Sequence, residues 1–213
     1  MDTVTAKKIL TKKEPTNLYD VVQPALECAE LRDLLAKGSS AKDETYRYNC
    51  VRVLFRALAQ RPDLFYIYWD HFVSGLDSLN GFHRSVTAQA VAYLTSVDQD
   101  CKLDLIFKRY LNLFDDSKVM VARYFIQTID LVARARPDLQ DKIIALLLSI
   151  DNTHHTVGHK ELLKADIIQA LDQFFESLSP KQHEKALAFV ETQLMSKSLK
   201  TRKAAKEFQK RHL

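Results

Sequence analysis

Apolar residues recur at intervals of three and four along most of the 213-residue chain, the spacing that gathers side chains on one face of an α-helix. The stripe from Tyr46 to Leu54 illustrates the pattern. Gly38 is expected to end the first firm helix in the left-handed conformation, whereas Pro62 and Asn80-Gly81 are turn signals. The first 17 residues predict a frayed lead-in with at most one short helix. The helices predicted after it cover 24–37, 43–60, a segment that opens at Pro62, 82–96, 98–114, 118–135, 139–150, 159–178, 181–195 and 199–212.

The joints between paired helices recur at a regular interval. The sequence Arg61-Pro62-Asp63-Leu64 returns as Arg136-Pro137-Asp138-Leu139, 75 positions later, and each copy follows an amphipathic helix. Ser179-Pro180 lies 43 positions after Pro137, and the turn at Val97-Asp98 lies 35 positions after Asp63. This interval is typical of two-helix solenoid repeats.

The inter-helix prolines and one helix start carry a resemblance to a known family. The chain resembles HEAT- and armadillo-type helical repeat proteins through Pro62, Pro137, Pro180 and the segment 115–123. That segment is similar to their Asp-x-x-Val-Arg-x-x-Ala pattern, although Met120 stands where arginine is usual. The resemblance covers about 43–196. It implies a curved stack whose concave face binds macromolecules, in a family made up mostly of scaffolds and adaptors without catalysis.

We therefore predict an all-α fold, an α-solenoid of about four antiparallel helix pairs plus terminal capping helices. Three segments make up the one expected domain. They are a lead-in with a capping helix (1–42), HEAT-like repeats (43–196) and a basic C-terminal helix (197–213).

Composition supports a helical protein without a membrane span. Only four glycines and five prolines occur, fewer than a sheet-rich fold or a glycine-lined phosphate site normally needs. The chain has no apolar run of about 18 residues and no secretory signal pattern. The three cysteines are far apart, without a Cys-x-x-Cys pair. We expect a cytoplasmic protein rather than a disulfide framework or a structural zinc site.

Charge is concentrated in the last segment. Residues 193–213 contain seven Lys or Arg against one Glu, or +6, so the total of +4 leaves −2 for residues 1–192. A row of basic side chains could contact phosphates or an anionic surface. The alternative, which we favour, is a solvated terminal cap. The candidate anion-binding residues are Arg202, Lys203, Lys206 and Lys210.

Arginines are spread at one or two per predicted helix. They would either line a groove for an acidic peptide or a nucleic-acid backbone, or form ion pairs with acidic residues four positions away. The sequence does not decide between these two interpretations. They are Arg47, Arg52, Arg56, Arg84, Arg109, Arg123, Arg134 and Arg136. Arg84 and Arg123 are our candidates for partner binding.

The segment 65–72 is the most aromatic of the chain. Phe65, Trp69 and Phe72 have the spacing of a core-facing helix, and core packing is the favoured interpretation. Tyr66, Tyr68 and Phe72 cannot all face the same core, so one or both tyrosines should be partly exposed. Exposed aromatic residues are enriched at interfaces. Both tyrosines are therefore candidate partner-binding residues.

Three histidines stand in the polar break before the helix at 159. His155 and His159 would share a helix face, as two-histidine metal sites require, with His154 beside them. The segment also suits a flexible loop and has no His-Glu-x-x-His motif, so we predict no metal site and leave the question open.

Nucleophile-elbow, Walker and dinucleotide-binding motifs are also absent, and we expect neither catalysis nor a cofactor.

The favoured function is a non-catalytic scaffold or adaptor that binds a protein segment along its concave face. Nucleic-acid binding through arginines and the basic helix is the alternative. An alkylpurine-DNA-glycosylase-like enzyme is a weaker third possibility. Such an enzyme needs a Trp/Asp/Arg cleft, and for this the chain has only Trp69 and Asp70. Trp69 and Asp70 are adjacent, and so about 100° apart on a helix. The sequence does not define the partner or the oligomeric state.

Overall fold

A computed structural model describes residues 1–213, which form helices and connecting turns and contain no β-strand. The α-helices are α1 (Thr3–Leu10), α2 (Val22–Glu27), α3 (Ala29–Gly38), α4 (Glu44–Leu58), α5 (Trp69–Val73), α6 (Gly81–Thr95), α7 (Lys102–Leu111), α8 (Val119–Ile126), α9 (Ile129–Ala135), α10 (Gln140–Leu148), α11 (Val157–Phe174), α12 (Pro180–Gln193) and α13 (Leu199–His212). Short 3-10 helices lie at Leu18–Val21, Pro62–Tyr68, Ser74–Asp77, Asn112–Asp115, Pro137–Leu139, Ile150–Asn152 and Phe175–Ser177. None of the helices combines the length and apolar character needed to cross a membrane.

The chain divides into two compact units, Met1–Lys102 and Leu103–Leu213. The division falls inside the segment 43–196 that the sequence assigns to repeats. The predicted three-segment organisation of a single domain stays a prediction.

In the first unit, α4 packs against α2, α3 and α6. Its N-terminus is capped by Asp43, whose carboxylate accepts the Tyr46 N–H at 2.7 Å, as expected for a helix that begins after a polar linker. The predicted core face of the following segment is confirmed. Its four apolar side chains are all buried: Phe65, Trp69, Phe72 and Leu76.

Predictions of helix shape are wrong at several places, among them the first firm helix, which is interrupted at Cys28. Gly38 is not left-handed, since no glycine of the chain has a positive φ. It is the last residue of α3, where a Cβ would lie 2.4 Å from Cys50 Sγ, so its role is close packing. The predicted continuous helix 118–135 breaks at Thr128. The Thr128 hydroxyl donates to the Tyr124 carbonyl at 2.8 Å, a competing bond that bends helices.

In the second unit, the long helix α11 is central. It packs against α8, α9 and α13, and Leu163, Ile167 and Leu171 on it are fully buried. The predicted capping box at the start of α12 is present, with the Gln182 side chain accepting the Ser179 N–H at 2.7 Å.

The two copies of the repeated sequence have the same local structure. The Arg61 guanidinium donates twice to the Asp63 carboxylate, at 2.9 and 2.6 Å. Arg136 does the same with Asp138, at 2.9 and 2.7 Å. In each copy the proline opens a 3-10 helix, and the arginine before it has closely similar backbone angles. The motif is therefore one joint built twice, once in each unit.

Candidate functional site

The two candidate tyrosines of the aromatic segment are both partly buried. The Tyr66 hydroxyl donates to Asp98 Oδ1 at 2.5 Å, and the Lys102 ammonium lies 4.9 Å from the Tyr66 ring centroid. Burial and the neighbouring carboxylates, chiefly Asp98, raise the pKa of Tyr66. Burial also raises the pKa of Tyr68. Tyr66 thus holds the turn before α7 against the aromatic segment.

The two candidate arginines make specific contacts within their own units. Arg84 donates to the Ser78 carbonyl at 2.5 Å. Arg123 Nε donates to Asp166 Oδ2 at 2.8 Å, and this hydrogen bond raises the pKa of Arg123. Because the Asp166 side chain is fully buried, the pair joins α8 to α11 inside the second unit.

Several cations of α13 are held by groups of the second unit. Arg202 donates to the Ser196 carbonyl at 2.6 Å, and Lys203 lies 3.8 Å from Glu207. Asp172 on α11 accepts from both Arg211 and His212. Lys206 and Lys210 are the exposed candidates that form no ion pair. These contacts dock α13 and neutralise part of its charge.

A further surface in the first unit brings together two arginines and two tyrosines. Tyr48, Arg52 and Arg56 lie four residues apart on α4 and so share one helix face. Tyr19, in the 3-10 helix Leu18–Val21, lies beside them. We call these four residues the Arg/Tyr cluster.

The arginines of the Arg/Tyr cluster lie over exposed aromatic rings. The guanidinium carbon of Arg56 is 4.1 Å from the Tyr19 ring centroid. That of Arg52 is 5.3 Å from the same ring and 5.7 Å from the Tyr48 ring. Tyr19 and Tyr48 keep 40 % and 56 % of their surface accessible. The cluster is therefore a cation–π arrangement that faces solvent.

Neither arginine of the cluster forms an ion pair with a carboxylate, in contrast to Arg61, Arg123 and Arg136. Arg52 donates instead to the Tyr19 hydroxyl at 3.1 Å. This bond, together with Arg56, lowers the pKa of Tyr19 below its ordinary value of 10. The positive charge of both arginines is thus available to an anionic ligand.

The sequence shows the spacing of Tyr48, Arg52 and Arg56 on one helix face but not their link to Tyr19. Tyr19 precedes Arg52 by 33 positions and belongs to the segment 1–42 that was assigned to the lead-in and capping helix. The sequence also does not show that Arg52 and Arg56 lack a carboxylate within ion-pairing distance, because that depends on the tertiary structure. Arg52 and Arg56 are therefore among the arginines noted from the sequence, but their grouping with Tyr19 and Tyr48 is not predicted there.

The histidine-rich break has a different geometry from the predicted helical pair. His154 and His155 precede α11, which begins at Val157, whereas His159 is in its first turn. His154 and His155 lie against Asp115, and ligand atoms of these three side chains all lie within 4.8 Å of one another. Burial lowers the pKa of His155 below its ordinary value of 6.5. These are the residues that could hold a metal ion.

A small polar cavity of about 140 Å³ lies in the first unit between the turn at Ser39 and Ser40, the segment 71–78 and α6. The Ser78 hydroxyl accepts the Asn80 N–H at 3.2 Å and contacts His83 Nδ1 at 3.2 Å. Nε2 of His83 is buried without a hydrogen-bond partner. Burial and the charge of Arg47 lower the pKa of His83, which favours the neutral imidazole.

Comparisons with known proteins identify the fold. No protein-family model matches the chain, and no curated protein matches it. The chain is similar to a designed armadillo repeat protein, with a TM-score of 0.52 and 14 % identity over 98 % of this chain and 99 % of that one. It is also similar to an engineered protein solved by the Northeast Structural Genomics Consortium, with a TM-score of 0.50 and 16 % identity over 99 % and 96 % of the two chains. The chain has an armadillo/HEAT-like helical repeat fold, and the predicted all-α solenoid class is confirmed.

Proposed function

We propose that the protein is a non-catalytic helical-repeat scaffold or adaptor that binds an acidic segment of a partner protein through the Arg/Tyr cluster. The observation that carries the proposal is the pair Arg52 and Arg56, which lie over exposed tyrosine rings and have no carboxylate partner. Arginine and tyrosine are enriched among the residues that dominate interface energies. The fold supports the proposal because helical repeats present extended surfaces for macromolecular partners.

The chemistry of the cluster favours a carboxylate-bearing peptide. Each guanidinium offers a planar fork of N–H donors that matches a carboxylate, and the tyrosine rings offer apolar area for the methylene groups between charges. Because the cation–π contacts hold both arginines over rings, little side-chain entropy is lost on binding. The sequence-based candidates lie outside the proposed surface. Tyr66, Arg84 and Arg123 are hydrogen-bonded within their own units, and the Tyr68 ring centroid lies 6.3 Å from that of Phe65.

Nucleic-acid binding through α13 is the competing function. It depends on Lys206 and Lys210, because Arg202 and Lys203 contact groups of their own unit. Two lysines give a weak electrostatic footprint, since each phosphate contact contributes through release of counterions. The protein-binding function is therefore the one we favour.

Fluorescence anisotropy separates the two functions. The probes are a labelled peptide of Asp, Glu and Gly, its Asn/Gln counterpart and a labelled DNA duplex. The R52Q/R56Q variant should bind the acidic peptide at least about tenfold more weakly, since truncation of an interface arginine costs more than about 1 kcal/mol. The K206Q/K210Q variant removes the same charge and should bind it as the unchanged protein does.

Two outcomes would contradict the proposal. One is an acidic-peptide affinity that falls equally in both variants, which would show a response to net charge alone. The other is tight DNA binding that is lost only in K206Q/K210Q, which would place the function on α13. Circular dichroism of each variant checks that the helices are retained.

A further inference from the structure

The Asp115, His154 and His155 side chains are brought together from two turns of the second unit. Asp115 ends the 3-10 helix Asn112–Asp115, and the two histidines stand in the turn before α11. The His154 backbone N–H donates to Asp115 Oδ1 at 3.0 Å. This bond fixes the carboxylate against the histidine turn. The two imidazole ring centroids are 4.5 Å apart.

The donor atoms already stand close to a metal-binding geometry. His154 Nδ1 is 2.5 Å and His155 Nε2 is 4.0 Å from Asp115 Oδ1. Ligand atoms at about 2.0–2.2 Å from one tetrahedral ion are separated by roughly 3.3 Å. One ligand atom from each of the three side chains lies within 4.8 Å of the others. Shifts of about 1.5 Å or less in the separations would therefore place one ion among the three side chains.

The hydrogen bonds of the cluster leave coordination capacity unused. Asp115 Oδ1 receives the contacts from His154, while Oδ2 has none. His155 Nε2 is buried and its only hydrogen-bond contact is long, at 3.4 Å from the Phe114 carbonyl. No lysine or arginine pairs with Asp115, so no fixed cation competes with a metal ion for the carboxylate.

We propose that Asp115, His154 and His155 form a binding site for a divalent transition-metal ion, with zinc as the reference ion. Two imidazoles and one carboxylate are donors that Zn²⁺ accepts, whereas Mg²⁺ and Ca²⁺ prefer oxygen ligands alone. Three protein ligands leave a fourth position for water or a ligand. The bound ion would tie the turn at 112–116 to the turn at 150–156 and stabilise the second unit.

His159 supplies a matched control. It is exposed in the first turn of α11, four residues after His155, and lies outside the cluster. Substitution of His159 removes the same chemistry from the same region without removing a ligand. Asp115 and His154 are also exposed, so D115N and H154Q are expected to fold.

The test is zinc titration by calorimetry on the full chain, prepared without a histidine tag and freed of metal by a chelator. The unchanged protein and H159Q should bind one Zn²⁺ per chain and unfold at a higher temperature when zinc is present. D115N and H154Q should each bind zinc at least about tenfold more weakly and lose that thermal shift. Visible absorption of the cobalt-loaded chain should show the intense bands of a four-coordinate ion.

Three results would overturn the proposal. The first is an unchanged protein that takes up no zinc in a saturable manner, which would leave the cluster as a hydrogen-bonded contact only. The second is H159Q weakened as much as H154Q, which would show adventitious binding to exposed histidines. The third is D115N with undiminished affinity, which would exclude the carboxylate as a ligand.

Discussion

Arg123 Nε lies 2.8 Å from Oδ2 of Asp166, 43 positions further along the chain. Lys200 Nζ lies 2.8 Å from the other oxygen of the same carboxylate. The buried carboxylate of Asp166, on α11, therefore forms ion pairs with one residue of α8 and one residue of α13. The separation of Arg123 and Asp166 equals the 43 positions between Pro137 and Pro180.

Loss of the Asp166 carboxylate should destabilise the protein strongly. Removal of one member of a buried ion pair costs about 3–5 kcal/mol when the remaining charge is trapped. Arg123 and Lys200 keep partial access to solvent, so we expect D166A to lower the free energy of unfolding by about 2–3 kcal/mol. Urea denaturation measures the change. The matched variant D138A removes a carboxylate from an exposed fork and should cost about 1 kcal/mol or less. Equal losses in the two variants would refute a structural role for Asp166.

Two glycine substitutions should act in opposite directions. An alanine Cβ at position 38 would lie 2.4 Å from Cys50 Sγ, and such overpacking costs about 1–3 kcal/mol. Gly158 is in the first turn of α11, and nothing lies within 4 Å of a Cβ built there. G158A should therefore stabilise the protein by about 0.4–1 kcal/mol. Thermal unfolding of the two variants gives the sign of each change in stability. A G38A protein as stable as G158A would show that Gly38 is not tightly packed.

The stability of the folded protein should fall as the pH drops below 6.5, the ordinary pKa of histidine, in part because of His83. Burial and Arg47 lower the pKa of folded His83 below the value of 6.5 that the unfolded chain has. The unfolded state therefore binds more protons between the two pKa values, and stability decreases with falling pH across that interval. The H83Q variant should lose less stability than the unchanged protein between about pH 7 and about pH 5. An identical pH slope in the two proteins would show that His83 titrates normally. His155 shifts in the same direction, so part of the slope should persist in H83Q.

The pKa of Tyr19 should report directly on the Arg/Tyr cluster. The hydrogen bond from Arg52 is the main cause of its lowered pKa, with Arg56 adding to it. Substitution R52Q should raise the pKa of Tyr19 toward 10, its ordinary value. Ultraviolet absorbance titration of each protein against its Y19F counterpart isolates this one phenol. A Tyr19 pKa that is the same in both backgrounds would place Arg52 away from the ring.

The sequence predicts helix positions well because they depend on local patterns. Pro62, Pro137 and Pro180 mark real joints, and the buried stripe from Phe65 to Leu76 follows from spacing alone. These features need no knowledge of which helices become neighbours.

The misplaced features depend on contacts between distant residues. Gly38 resembles a left-handed cap in sequence, and only the approach of Cys50 shows its packing role. Asp115 belongs in sequence to a predicted helix start, yet its carboxylate contacts His154, 39 positions away. His155 and His159 would share a helix face only if both were helical, and α11 begins at Val157, after His155. Local spacing contains no information on these partners.

The most direct test of the partner-binding proposal is a reversal of charge in the Arg/Tyr cluster. Calorimetry would compare the unchanged protein with R52E/R56E, using the Asp/Glu/Gly peptide and a peptide in which lysine replaces each acid. We expect the reversed protein to lose affinity for the acidic peptide and to gain affinity for the basic one, because complementary charge determines the preference. An R52E/R56E protein that still folds and binds the acidic peptide as tightly as before would contradict the proposal.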